Sequence, residues 1–175
     1  MVRYDLVEGA REDLAELELD TIICLNVLEH IKDDGAALEG LEEMLCPGGR
    51  LILLVPAHRV LYSTLDKHLD HFRRYNRSGL VALVKKSGFH VEKSFHFNLL
   101  GALGWWINGC LLRRKILPGG QLKVFNLMTS LLRAENWITP PFGLSLVVIG
   151  RKETVAKTES LSSPVTAQVE TSSGQ

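Results

Sequence analysis

The chain has 175 residues, 46% of them hydrophobic and 23% charged, which is enough for one domain with a buried core. Twenty basic and twenty acidic residues cancel, so no global field favours nucleic acid, and a small-molecule partner is the more natural expectation. The opening MVRYDLVEGARED lacks the basic-then-apolar layout of a secretory signal, and Cys24, Cys46 and Cys110 are widely spaced in apolar contexts; reduced thiols and a cytoplasmic location are expected.

The run Thr21–Leu25 (TIICL) is short, β-branched and almost continuously apolar, which predicts a central parallel strand buried on both faces. Asp33 or Asp34 can cap a following helix whose Ala37, Leu38, Leu41 and Leu45 share one face, with Pro47-Gly48-Gly49 as its stop. Leu51–Val55 then reads as the next strand, completing a βαβ unit. Asn76 or Ser78 can start a second helix with the stripe Leu80, Leu83, Val84 and a stop at Gly88. Between His90 and Phe97 the period falls to two, with Val91, Phe95 and Phe97 on one side, as expected for a strand near a sheet edge.

The segment Leu99–Leu112 (LLGALGWWINGCLL) is strongly apolar and precedes Arg113-Arg114-Lys115. As a helix of about 14 residues it would reach only about 21 Å, short of the roughly 30 Å hydrocarbon core of a bilayer, so it is not expected to cross. It reads as a helix covering the core, with peripheral membrane contact as the other use. A stripe at Val124, Leu127, Met128, Leu131 and Leu132 predicts another helix, and Pro140-Pro141 breaks the chain before a last strand, Leu144–Gly150. From Glu153 onward the sequence is rich in Ser, Thr and Glu without aromatics, which predicts a disordered tail over 153–175 behind a domain over 1–152.

The stretch from Leu19 to Val55, with NVLEHI after one strand and LCPGGRLILLVP leading into the next, resembles the second half of the class I S-adenosylmethionine-dependent methyltransferase domain. The resemblance implies an α/β, Rossmann-like fold with a mostly parallel sheet, and S-adenosylmethionine as cofactor. It implies that Asn26 and Val27 lie beside the methionine part of the cofactor, with His30 close by. Asp5-Leu6 resembles the family pair that contacts adenine, the carboxylate accepting from the exocyclic amine and the leucine amide serving a ring nitrogen; Glu12-Asp13 is the competing choice. VPAHRVLYSTLDKHLDHFRRY resembles the segment bordering the acceptor pocket in a family subgroup.

Methyl transfer displaces a sulfonium sulfur directly, so the protein must align the acceptor and, where needed, accept a proton. His71 is the candidate base and Tyr75 the candidate for orienting the acceptor, while Arg73 and Arg74 could hold an anionic one or simply be surface arginines. His58, His68 and His71 lie close in sequence, but nothing completes a zinc pattern, and no metal site is expected. No G-x-G sequence occurs in the chain. The resemblance therefore places it from the family's third strand onward, an incomplete domain expected to be inactive alone. The alternative is a non-catalytic interaction module that docks a partner chain at an exposed strand edge, or a membrane surface through Leu99–Leu112. The acceptor is expected to be a small molecule or a lipid-linked amphiphile.

Overall fold

A computed structural model describes residues 18–114 and 140–153. The expectations for Asp5, Leu6, the 124–132 helix and the tail lie outside these residues.

Four strands, β1 (Leu19–Leu25), β2 (Leu45–Pro56), β3 (Phe89–Phe97) and β4 (Ser145–Lys152), form a sheet in the order β1-β2-β4-β3. β1 and β2 run parallel, and β4 lies antiparallel to both β2 and β3, so the described sheet is mixed. α1 (Asp34–Glu43) makes the crossover between the parallel strands, α2 (Thr64–His68) is a single turn, α3 (Arg77–Lys86) precedes β3, and α4 (Leu99–Trp105) follows it.

Local signals explain most helix ends. Asp33 caps α1 by accepting the Ala36 amide at 3.0 Å, closing one of the orphan donors of the first turn. Asn76 occupies the N-cap position of α3, and Gly88, at φ +89°, reverses the chain after it in a conformation that would strain a side chain. Pro47-Gly48-Gly49 is not the helix stop the sequence suggested. α1 already ends at Glu43 and β2 begins at Leu45, so these residues lie within the strand, with Gly48 at φ +81° producing an irregular start.

One face of the sheet carries the core. Leu51, Leu53 and Val55 of β2 and Leu146 and Val148 of β4 are buried against Leu38 and Leu41 of α1 and Leu80 and Val84 of α3. The opposite face bears Ile23, Ile52 and Ile149 in one row and Leu25, Leu54, Val147 and Phe95 in the next. Ile23 and Leu25 are exposed there. This corrects the expectation for TIICL: within the described sheet β1 is an edge strand, and its continuous apolar run reflects one face on the core and one uncovered.

Two further expectations are corrected. In β3 the register shifts between Val91 and Lys93, so Glu92 is an extra residue and the alternation inverts beyond it. His96 therefore points into the structure and Phe97 outward, the reverse of the sequence reading. The bulged Glu92 receives Arg50 at 3.1 Å and Arg151 at 3.2 Å.

The second correction concerns Leu99–Leu112, which is not a core-covering helix. α4 passes into a π-helical turn over Trp106–Leu111, docked by buried Asn108 and Gly109, with Gly109 against Ser63. Leu103, Trp106, Leu111 and Leu112 remain exposed. Among the described residues no helix is long and apolar enough to cross a membrane. All three cysteines are free, and burial pushes the Cys24 thiol up to about 11, which leaves it unreactive.

Candidate functional site

At the carboxyl end of β1, Asn26 takes a left-handed conformation, φ 51°, with its amide donating to the Leu54 carbonyl at 2.9 Å. The chain then leaves the sheet through exposed Val27 into a 3-10 turn, Leu28–His30. The turn buries Leu28 and Glu29 and leaves His30 at the surface. A second segment, the loop from Leu69 to Tyr75 after α2, is fastened onto it. The Phe72 amide donates to the Glu29 carbonyl at 2.8 Å, and the Tyr75 hydroxyl lies 3.0 Å from an Asp34 carboxylate oxygen and 3.3 Å from the Leu28 carbonyl. His30, which follows β1, and His71, 41 residues later, thereby meet edge to face with ring centroids 4.8 Å apart.

Asp66 organises this loop. Its buried carboxylate accepts from the Ser63 amide at 2.8 Å, from Arg74 Nε at 2.7 Å and from Trp105 Nε1 at 3.3 Å, and pairs with His71 Nδ1 at 3.0 Å. Burial alone would raise the pKa of such a group. The His71 hydrogen bond, the Arg74 charge and the Ser63 amide outweigh it and hold Asp66 below the ordinary carboxylate range. An ionised Asp66 requires the proton of His71 on Nδ1 and directs Nε2 away from itself, toward Glu29 Oε1 at 3.9 Å.

Glu29 is the opposite case. Its side chain is fully buried, yet neither carboxylate oxygen accepts a hydrogen bond from another described residue. Burial pushes its carboxyl up, against the opposing pull of its own backbone amide and of His71, His30 and Arg74.

Of the residues singled out in the sequence, Asn26, Val27, His30 and His71 gather at this end of β1. Tyr75 is present but buried, and its hydroxyl ties the loop to the start of α1; burial, followed by the Asp34 charge, holds its phenol far above the ordinary range. Neither arginine is a free anion holder: Arg73 pairs with Asp34 at 2.8 Å, and Arg74 is buried against Asp66 with Trp105 beneath its guanidinium. His68 is exposed and stands apart, and His58 lies beside His96, so the three histidines considered together in sequence do not form a group. Sequence reading missed Glu29 and Asp66. The pattern Ser63-Thr64-Leu65-Asp66 is a capping-box signature that would have placed Asp66 on a helix start, although not on His71.

His58 stacks between His96, at 4.7 Å, and Phe142, at 3.8 Å, beside a cavity of ≈ 540 Å³ also lined by Asn76, Arg77 and Ser94. A larger groove of ≈ 760 Å³ runs between α3 and β3, away from the end of β1. Burial lowers both histidines. His96 and Arg74 add to this for His58, and Arg77 adds to it for His96, partly offset by the Pro141 carbonyl. The unfolded chain therefore takes up protons first as pH falls below about 6.5. Stability supplied by this neutral pair is present above that pH and is lost on acidification toward the lower folded-state values. The melting temperature should fall from pH 7 to 5.5, less steeply in His96→Phe; equal slopes would show that the pair does not titrate in this way.

A parallel βαβ unit extended by an antiparallel pair, with polar residues collected at the carboxyl end of its first strand, defines a Rossmann-like α/β domain. A family model described as "Methyltransferase domain" matches residues 3–94. The chain belongs to that family. A curated Mycolicibacterium smegmatis protein, "Probable S-adenosylmethionine-dependent methyltransferase", is 32% identical over 98 residues, covering 51% of this chain and 38% of the relative. The chain thus spans well under half the length of that relative. Among solved structures, an S-adenosylmethionine-dependent methyltransferase from Mesorhizobium loti superposes with a TM-score of 0.53 at 13% identity, over 86% of this chain and 68% of that one. An O-methyltransferase family protein from Burkholderia thailandensis gives 0.50 at 11%, over 88% and 36%. These two likenesses bear on the fold.

Proposed function

We propose that this chain takes part in transfer of a methyl group from S-adenosylmethionine to a small-molecule or lipid-linked amphiphilic acceptor. The observation that carries the reading is the gathering of Asn26, Val27, His30 and His71 at the carboxyl end of β1 within a methyltransferase-family domain. The residues present fit the cofactor on one flank: the left-handed turn at Asn26 leaves its side chain and Val27 open where a ligand of such a fold sits. Asn26, Val27 and His30 would hold the methionine end, and Asp5-Leu6 the adenine. When bound, the cofactor supplies an electrophilic methyl on a sulfonium sulfur. His71 is the proposed acceptor of the substrate's proton, at Nε2, because Asp66 occupies Nδ1. Since no G-x-G turn occurs in the sequence, this chain alone is proposed to be inactive.

Calorimetric titration with S-adenosylhomocysteine tests the reading. Binding should be measurable and should weaken about tenfold in Asp5→Ala, the loss of roughly one hydrogen bond. A folded chain that gives no heat would overturn it in favour of an interaction module. The exposed Leu103, Trp106 and Leu111 beside Arg113 and Arg114 are the observation behind that second reading.

A further inference from the structure

We propose that Glu29, His30 and His71 form a binding site for a divalent transition-metal ion of the zinc type. One ligand atom from each lies within 4.8 Å of the others. A tetrahedral ion with bonds of about 2.0–2.1 Å would set its ligand atoms roughly 3.4 Å apart, so the side chains need close by little more than an ångström.

Three features separate this cluster from a chance grouping. Glu29 is a fully buried carboxylate whose two oxygens take no hydrogen bond from another described residue, although burial without partners costs a carboxylate several kilocalories in general. The imidazole nitrogen facing it, His71 Nε2 at 3.9 Å, is too far for a hydrogen bond. His71 is already set up as a ligand: Asp66 holds Nδ1–H at 3.0 Å, so that in the neutral ring Nε2 carries the lone pair and faces the Glu29 carboxylate. Two electron-rich groups pointed at each other call for a proton or a metal ion between them, and a carboxylate behind a histidine is the support that metal-bound histidines use.

The donor set also indicates the ion. Two imidazoles and one carboxylate suit zinc and its first-row neighbours better than magnesium or calcium, and three protein ligands leave a position open, as in catalytic rather than structural sites. Exposed His30 puts that open side toward solvent near Asn26 and Val27. An acceptor hydroxyl bound there would be acidified by the ion and release its proton to solvent water on the open side, in place of direct proton transfer to His71 Nε2. This last role rests on the methyl-transfer reading; the metal site itself does not.

The test is equilibrium dialysis of the tag-free, chelator-treated full chain against Zn²⁺, with Co²⁺ absorption as a second readout and no cofactor or acceptor present. The expected result is one ion per chain, bound roughly 100-fold more weakly by His30→Ala and by Glu29→Gln and unchanged in His68→Ala. His30 is exposed, so its alanine variant should fold even if Glu29→Gln does not. Stoichiometric binding that survives both variants, loss in His68→Ala, or an intense thiolate-to-Co²⁺ band would overturn the site, as would absence of binding by the folded chain. A positive result alongside failed S-adenosylhomocysteine binding would retain the metal site and reject the methyl-transfer reading.

Discussion

Replacing Asp66 with alanine is expected to lower the unfolding free energy by about 3–5 kcal/mol, the range for breaking a buried ion pair by removing one partner. The magnitude follows from what remains. Arg74 is only 2% exposed, and although it would keep its bond to the Ala57 carbonyl at 3.0 Å and its place over Trp105, its charge would have no ion-pair partner among the described residues. The Ser63 amide and the Trp105 indole would lose their acceptor as well. Against a typical domain stability of about 5–15 kcal/mol such a loss is severe. Denaturant titration would measure it. Asp66→Ala combined with Arg74→Met should recover much of the loss, because an apolar replacement of a whole buried pair is often near neutral. A cost below about 1 kcal/mol for the single variant would mean that Arg74 finds another partner or water, and that Asp66 does not organise the His71 loop.

The sequence disclosed the features that are local. An Asp at a helix start, a Gly at a helix end and β-branched runs carry their physics within a few residues, so α1, α3, β1, β2 and β4 could be located from the chain alone. The errors arose where one residue or one distant contact redirects the pattern. A single inserted residue, Glu92, turns His96 inward and Phe97 outward, and no alternation rule contains that insertion. TIICL reads as fully buried because its composition cannot say which face is covered. His71 was visible as a histidine with useful chemistry, but its two determining neighbours, Asp66 on the preceding helical turn and Glu29 beyond the β2 crossover, are brought to it by the tertiary structure. For the same reason His58, His68 and His71 suggested a grouping by sequence proximity, whereas His71 meets His30 from 41 residues away.

The second large effect should change sign with metal. In metal-free solution at neutral pH, Glu29→Gln is expected to raise stability by about 1–3 kcal/mol, since it exchanges a buried carboxylate without hydrogen bonds for a neutral group of nearly the same shape. For a domain of this length that corresponds to a melting-temperature increase of at least about 2 °C. With Zn²⁺ at 1,000 times the wild-type dissociation constant, linkage should stabilise the wild-type chain by about 4 kcal/mol, while a variant binding roughly 100-fold more weakly gains only about 1.4 kcal/mol. The two melting curves should therefore approach or exchange order on adding metal, a pattern that a purely structural role for Glu29 cannot produce. Differential scanning calorimetry with and without Zn²⁺ measures both arms. If Glu29→Gln destabilises the metal-free chain, the carboxylate is satisfied in solution, by a proton or by a charged His71, and the physical case for an ion at this position fails. If it stabilises in both conditions by the same amount, Glu29 is a burdened core residue and the ion binds elsewhere. Only a gain without metal that shrinks or reverses with it identifies a residue kept at a cost to the fold for what it holds.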